Sequence, residues 1–160
     1  MRPAWVTHPL LVRLAAIVLG ALFLYASHDK ILHPQEFAKI VYHYRLIGPS
    51  HTISPLLANS FSVILPWVEA VTGLLLVVGL WRREAAITTA LMLVMFLVAV
   101  SWAMSQGIDV EKCGCFTVSA ESGESRAAGW KLIAQDTAML VAAVWIAWAD
   151  GRRPKPATLP

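Results

Sequence analysis

The stretch that decides the fold is Phe61–Met104, FSVILPWVEAVTGLLLVVGLWRREAAITTALMLVMFLVAVSWAM. It contains two apolar runs, Phe61–Trp81 and Ala85–Met104, which are separated only by Arg82-Arg83-Glu84. An α-helix needs about 20 apolar residues to cross the hydrocarbon of a bilayer, and each run is close to that length. Soluble helices seldom stay so apolar for so long. The stretch therefore predicts a helical hairpin that crosses a membrane twice.

Two further apolar runs lie outward from this hairpin, Leu10–Ser27 before it and Trp130–Trp148 after it. A cleaved signal peptide is the alternative for the first run. Cleavage requires a small residue in the third-last position, and a cut at the end of this run puts Leu24 or Tyr25 there. Because both side chains are bulky, an uncleaved helix is favoured. The sequence thus predicts four spans.

The composition supports a membrane protein. The chain has 160 residues, of which 58% are hydrophobic and 14% are charged, whereas soluble domains average about 45–50% and about 25%. The formal charge of +3 could indicate a nucleic-acid partner. However, the basic residues are scattered between the apolar runs and form no stripe, so we interpret them as determinants of topology. The expected partner is the lipid bilayer, with no nucleic acid.

The first loop, His28–Ser60, contains a second kind of helix. Phe37, Ile40, Val41 and Tyr44 recur at i, i+3, i+4 and i+7, the pattern of one apolar helix face. The segment is too short and too polar to span a bilayer, so it predicts an amphipathic helix in the interface, Pro34–Ile47. A simple cap on the bundle, with no chemistry, is an equally good interpretation.

These elements define the predicted fold class: an all-α, polytopic membrane four-helix bundle with a short amphipathic interfacial helix in its first outer loop. A single domain covers residues 10–149, with spans at about 10–27, 61–81, 85–104 and 130–148. Residues 1–9 form a cytoplasmic flank and residues 150–160 a cytoplasmic tail. The side that holds both termini has very short segments, and its basic residues are Arg2, Arg13, Arg82, Arg83, Arg152, Arg153 and Lys155.

This distribution predicts the orientation, since short cytoplasmic loops carry an excess of Lys and Arg. The excess itself is small, seven basic residues against six on the other side. We therefore expect a multi-pass protein of the bacterial inner membrane, with both termini cytoplasmic and the loop before the last span periplasmic.

That loop carries Cys113-Gly114-Cys115-Phe116, which contains both cysteines of the chain. They could be a redox pair, a soft metal clamp or two incidental thiols. A relaxed disulfide requires a certain torsion and Cα separation, which neighbours two apart cannot reach without strain. Strained disulfides are more oxidising and exchange readily, so a redox pair is favoured. The outer histidines His28, His33, His43 and His51 match no compact ligand spacing, and no metal ligand is predicted.

Two acidic residues lie inside the predicted spans, Glu69 in the second and Asp136 in the fourth. At about 1.5 Å per residue both are roughly 9–12 Å below the outer edge. Each could simply bond to a neighbouring helix and fix the packing. Ionisable groups at this depth are costly, however, and usually functional. We slightly favour a proton-handling pair beneath the cysteine loop.

The residues also resemble a known family. The order of Asp29-Lys30-Ile31-Leu32, Pro34, Phe37, Tyr44, Pro49, Leu65-Pro66, Glu69 and Gly73 is similar to the DoxX-type membrane family. Lys112-Cys113-Gly114-Cys115-Phe116, with Trp130 and Asp136, resembles more narrowly the MauE family of methylamine utilisation, although Thr117 stands where that family commonly has a smaller residue. The resemblance covers nearly the whole chain, from Leu11 to Trp148.

The resemblance implies a four-helix protein of the inner membrane. For MauE it implies a role in maturing the disulfide-rich small subunit of methylamine dehydrogenase in the periplasm. For DoxX relatives it implies quinone-linked sulfur oxidation.

The leading hypothesis is a membrane thiol–disulfide redox protein that supports disulfide formation in a periplasmic client. Cys113 and Cys115 would accept electrons from a thioredoxin-like protein or a disulfide-rich client, while Glu69 and Asp136 support proton movement. A quinone is the candidate acceptor, which would make the protein a quinone-linked thiol–disulfide oxidoreductase; whether it is an enzyme stays open. The alternatives are a non-catalytic assembly or scaffold protein, and a metal-delivery protein that uses the cysteines and the outer histidines.

Overall fold

Five α-helices make up nearly all of the residues that the computed structural model describes, which are 8–43, 55–105 and 125–151. The helices are α1 (Pro9–Leu32), α2 (Pro34–His43), α3 (Pro55–Val78), α4 (Arg82–Ser105) and α5 (Ser125–Gly151). No strand occurs within these three ranges. The cysteine loop lies outside the described residues, as do both ends of the chain.

Three helices are long and apolar enough to cross a membrane: Pro9–Leu32, Arg82–Trp102 and Trp130–Gly151. In α3, Ser62–Val78 forms a shorter apolar helix. Large apolar side chains point away from the protein on every one of these helices, for example Val18, Trp67, Leu91 and Val141. Such exposure suits lipid as the solvent. The predicted all-α membrane bundle is therefore confirmed.

The four long helices form two close pairs. α1 packs mainly on α3, and α4 packs mainly on α5, whereas α3–α4 and α1–α5 touch less. Small residues allow the first pair to approach closely. A Cβ atom on Gly20 would lie 2.6 Å from the Gly73 carbonyl oxygen, and one on Gly73 would lie 2.9 Å from the Gly20 oxygen. The bundle thus consists of two close helix pairs that meet along a less extensive seam.

The turn between α3 and α4 differs from the prediction. The charged residues Arg82-Arg83-Glu84 were expected to connect the two spans, but α4 already begins at Arg82. The chain reverses at Gly79–Trp81 instead, where Gly79 has φ +84° and Trp81 has φ +46°. Glycine adopts this left-handed conformation without strain and so ends α3. Glu84 then falls in the first turn of α4, where the helix dipole favours an acidic residue.

We call the end of the bundle that holds this turn the hairpin end. The opposite end, where α1 and α4 stop and α3 and α5 begin, is the loop end. The close-packed apolar core lies towards the hairpin end and includes Val12, Ala16, Leu76, Ala85, Ala86, Ala143, Ile146 and Ala149. The helix α2 lies at the loop end with Phe37 buried and Gln35 and Lys39 exposed, in agreement with the predicted amphipathic helix. The side chains of Ile40 and Val41, and the predicted continuation from Tyr44 to Ile47, lie outside the described residues.

Candidate functional site

A buried ion pair joins α1 to α3. The Lys30 Nζ atom donates to both carboxylate oxygens of Glu69, at 2.8 Å and 2.9 Å. The Lys30 side chain is 1% exposed and the Glu69 side chain is 2% exposed. Charge-assisted bonds of this kind are roughly twice as strong as neutral ones. Removing one charged side chain of such a pair leaves the other buried charge without a counter-ion.

Lys30 was not among the predicted site residues. The sequence assigned it to the polar loop His28–Ser60, because the predicted span ended at Ser27. In the structure α1 continues to Leu32, and Lys30 extends the buried face of Phe23 and Ala26. A helical side chain leans towards the N-terminus of its own helix, which directs the ammonium group inwards to Glu69.

Two signals in the sequence could have identified Lys30. The first is its spacing of four from Ala26 and seven from Phe23, which continues a 3.6-residue period. The second is Glu69 itself, since a carboxylate at membrane depth needs a cation nearby.

Aromatic rings from two other helices enclose the ammonium group. The Lys30 Nζ atom lies 5.3 Å from the centroid of the Phe37 ring and 5.0 Å from that of Phe96. Both distances fall within the range of about 6 Å for cation–π attraction. Phe37 belongs to α2 and Phe96 to α4. The short helix therefore does more than lie beside the bundle, because its buried ring covers the ion pair.

Asp136 on α5 completes the group. Its side chain is 1% exposed, and it lines one cavity together with Lys30 and Glu69. The prediction that Glu69 and Asp136 lie at similar depth agrees with this shared cavity; their catalytic role stays a prediction. The apolar lining is formed by Leu22, Phe23, Ala26, Leu93, Phe96 and Met139.

The size of this cavity decides what it can hold. Its volume is about 20 Å³, and about 10–15 Å³ is enough for one water molecule. A cavity that binds benzene measures about 150 Å³. The cavity between the described residues is therefore about the size of one water molecule.

The predicted cysteines Cys113 and Cys115 lie outside the described residues, so the structure gives no geometry for them. They belong to the segment 106–124, which leaves α4 after Ser105 and enters α5 at Ser125. Both attachment points are at the loop end of the bundle. The charged cavity thus lies between helices to which this segment is joined.

No group of three or more His, Cys, Asp or Glu residues that could hold a metal ion occurs within residues 8–43, 55–105 and 125–151. Of the outer histidines, His28 and His33 are exposed on α1 and just beyond it. His33 Nδ1 lies 3.5 Å from an Asp29 carboxylate oxygen, as expected for a surface contact. The side chain of His43 and the whole of His51 are outside the described part.

The fold and the site together define a multi-pass α-helical membrane protein with an ion pair buried in its bundle. The chain belongs to the family of the methylamine utilisation protein MauE, whose family model matches residues 8–149. The resemblance to the DoxX family stays a prediction.

Two relatives have the same family name. The chain is 26% identical over 145 residues to the methylamine utilization protein MauE of Methylorubrum extorquens. The aligned region covers 91% of this chain and 73% of that relative. The chain is 27% identical over 139 residues to the MauE protein of Paracoccus denitrificans, covering 87% and 69%. No solved structure matches the chain.

Proposed function

We propose that this chain acts in methylamine utilisation as a membrane thiol–disulfide redox protein. Its client would be a periplasmic protein, and the resemblance to MauE points to the disulfide-rich small subunit of methylamine dehydrogenase. Membership of the MauE family supports the metabolic context. The observation that carries the redox assignment is the buried cavity with Lys30, Glu69 and Asp136 at the loop end, next to the helices that bear the Cys113–Cys115 segment.

The chemistry is disulfide exchange. A client thiolate attacks one sulfur of a Cys113–Cys115 disulfide and forms a mixed disulfide, while the other cysteine leaves as a thiolate. The second client thiolate then displaces this chain's cysteine. The client gains one disulfide, and Cys113 and Cys115 become two thiols, so two electrons and two protons have moved. A strained ring between neighbours favours this direction.

The buried carboxyl groups serve the proton side of this reaction. Re-oxidation of the two thiols would pass two electrons to an acceptor, for which a quinone is the candidate, and release two protons, whose movement Glu69 and Asp136 would support. Their burial supports this role, because ionisable groups within membrane helices are rare and commonly belong to proton relays. A quinone remains the candidate electron acceptor, but it does not fit the described cavity. We therefore place no quinone in this cavity.

The orientation that suits this chemistry has the loop end in the periplasm, an oxidising compartment in bacteria. Both termini would then be cytoplasmic, and the protein would reside in the inner membrane. Arg82 and Arg83 at the hairpin end support this orientation, because basic residues in short loops favour the cytoplasmic side.

The test replaces both thiols. In a Cys113→Ser/Cys115→Ser variant we expect the client's cysteines to remain reduced, as measured by thiol alkylation and mass shift of the secreted client. Ser105→Ala is the matched control, since it changes an exposed hydroxyl at the end of α4 and leaves both thiols. Normal client disulfides in the double variant would contradict the proposal and favour a non-catalytic scaffold.

A further inference from the structure

We infer that helix α2 is a lid over the Lys30–Glu69 pair, and that water reaches this buried pair from the loop end and not from the hairpin end. Phe37 is then a positioning residue that holds the lid closed. The inference rests on the proposed function for its purpose, since a proton-handling site needs a route to water, whereas its test is read on Lys30 itself.

The hairpin side of the cavity is closed by apolar packing. Leu93 lines the cavity and lies about 16 Å along α4 from Arg82, where this helix begins. Among the described residues, the buried polar side chains between the cavity and the hairpin end are Thr72 and Thr89. The Thr72 hydroxyl donates to carbonyl oxygens of its own helix, and the core around both threonines is apolar. One remaining hydroxyl is too little to carry water or protons over this distance.

The loop side of the cavity has a different character. Ser27, Lys30 and Ser62 are all buried there, so polar groups continue from the cavity towards the loop end. A lysine near the end of a membrane helix normally extends to the headgroups or to water, but Lys30 is only 1% exposed. The Phe37 ring of α2 lies over its Nζ atom. Since α2 contacts both α1 and α3, it covers the two helices that carry the ion pair.

The attachment of α2 permits it to move. A single non-helical residue, His33, joins it to α1 and is exposed. The next residue, Pro34, has no N–H group with which to continue the hydrogen bonding of α1. Lids commonly turn about a few such residues at the end of an element. Of the side chains described on α2, only Phe37 is buried, whereas Gln35 and Lys39 are exposed. The Phe37 ring is therefore the described contact that keeps α2 on the ion pair.

Amine labelling of the full chain from one side of the membrane tests the lid. The chain is placed in lipid vesicles in one orientation, a membrane-impermeant acylating reagent is added to one side, and mass spectrometry gives the acylation rate of Lys30. Lys39 is exposed on α2 and reports that the reagent has reached the loop end. In the parent, Lys30 should react slowly from the loop end and not at all from the hairpin end. Phe37→Ala should raise the loop-end rate by about tenfold, the change expected from loss of one ring contact with a desolvated cation.

Phe96→Ala is the matched control. The Phe96 ring lies 5.0 Å from the same Nζ atom but belongs to α4, so its removal leaves the lid in place and the Lys30 rate close to that of the parent. Phe37→Leu keeps an apolar side chain on α2 and should give a smaller rise than Phe37→Ala. This second variant decides the question if Phe37→Ala does not fold.

Three results would each overturn the inference: reaction of Lys30 from the hairpin end, a rate that the Phe37 variants leave unchanged, or an equal rise in Phe96→Ala. The last result would mean that general loosening of the bundle exposes the lysine. The client assay is separate from this labelling. Normal client disulfides in the Cys113→Ser/Cys115→Ser variant would contradict the proposed function, and the labelling would still decide whether α2 is a lid.

Discussion

The two ends of the bundle differ in where they place their charged side chains. At the hairpin end, α4 and α5 are joined by Arg82 and Asp150, whose Nε and Oδ2 atoms lie 3.2 Å apart with side chains 21% and 8% exposed. The core beneath that pair is apolar and rich in alanine. At the loop end, the Lys30–Glu69 pair lies inside the bundle and a third ionisable group, Asp136, lines the same cavity.

The difference bears on where the proposed function is located. The Arg82–Asp150 pair is only partly enclosed, since Arg82 is 21% exposed whereas neither member of the Lys30–Glu69 pair is more than 2% exposed. Apolar side chains of similar volume stabilise a core as well as a fully buried pair or better. Stability alone would therefore favour an alanine-rich core at both ends. Three ionisable groups enclosed at the loop end are hard to explain by packing, and the usual reason for such groups in membrane helices is function.

The largest effect expected from this comparison follows removal of one partner of the enclosed pair. Lys30→Met or Glu69→Gln alone should lower the free energy of unfolding by about 3–5 kcal/mol, since a buried charge loses its counter-ion. The double variant should recover most of this loss. Thermal or denaturant unfolding in detergent micelles measures it, and single variants as stable as the parent would show that the pair is not enclosed as described.

A smaller effect is expected at the close contact between α1 and α3. Gly20→Ala should destabilise the protein by about 1–3 kcal/mol, the usual result of overpacking, because its Cβ atom would meet the backbone of Gly73. Ala21→Val is the matched control, since the neighbouring Ala21 is exposed. Equal stability of both variants would mean that the helices of this pair separate easily.

The smallest effect is expected at the hairpin end. Arg82→Gln or Asp150→Asn should lower the free energy of unfolding by less than Lys30→Met does, because Arg82 is 21% exposed and water can replace part of the lost partner. The same unfolding assay applies, with Lys30→Met as the internal reference. A loss as large as that of Lys30→Met would remove the contrast between the two ends.

Much of the fold could be predicted because length and hydropathy determine a membrane helix almost by themselves. The close approach at Gly73 involves a partner, Gly20, that only the structure identifies. The turn was misplaced because Arg82-Arg83-Glu84 is the conspicuous polar stretch, whereas the chain reversal depends on the conformations of Gly79 and Trp81.

The candidate site could be predicted only in part. Glu69 and Asp136 were recognisable as charges in apolar runs. Lys30 was not, because a lysine at the end of an apolar run normally reaches outwards to the headgroups, and its inward direction follows from the continuation of α1 to Leu32.

The measurement that tests the central claim most directly is the redox state of Cys113 and Cys115 in membranes, read by thiol labelling before and after the reduced client is supplied. The account predicts that the pair begins as a disulfide, resists labelling, and becomes labelled in step with disulfide formation in the client. A pair that stays in one state while the client matures would contradict it.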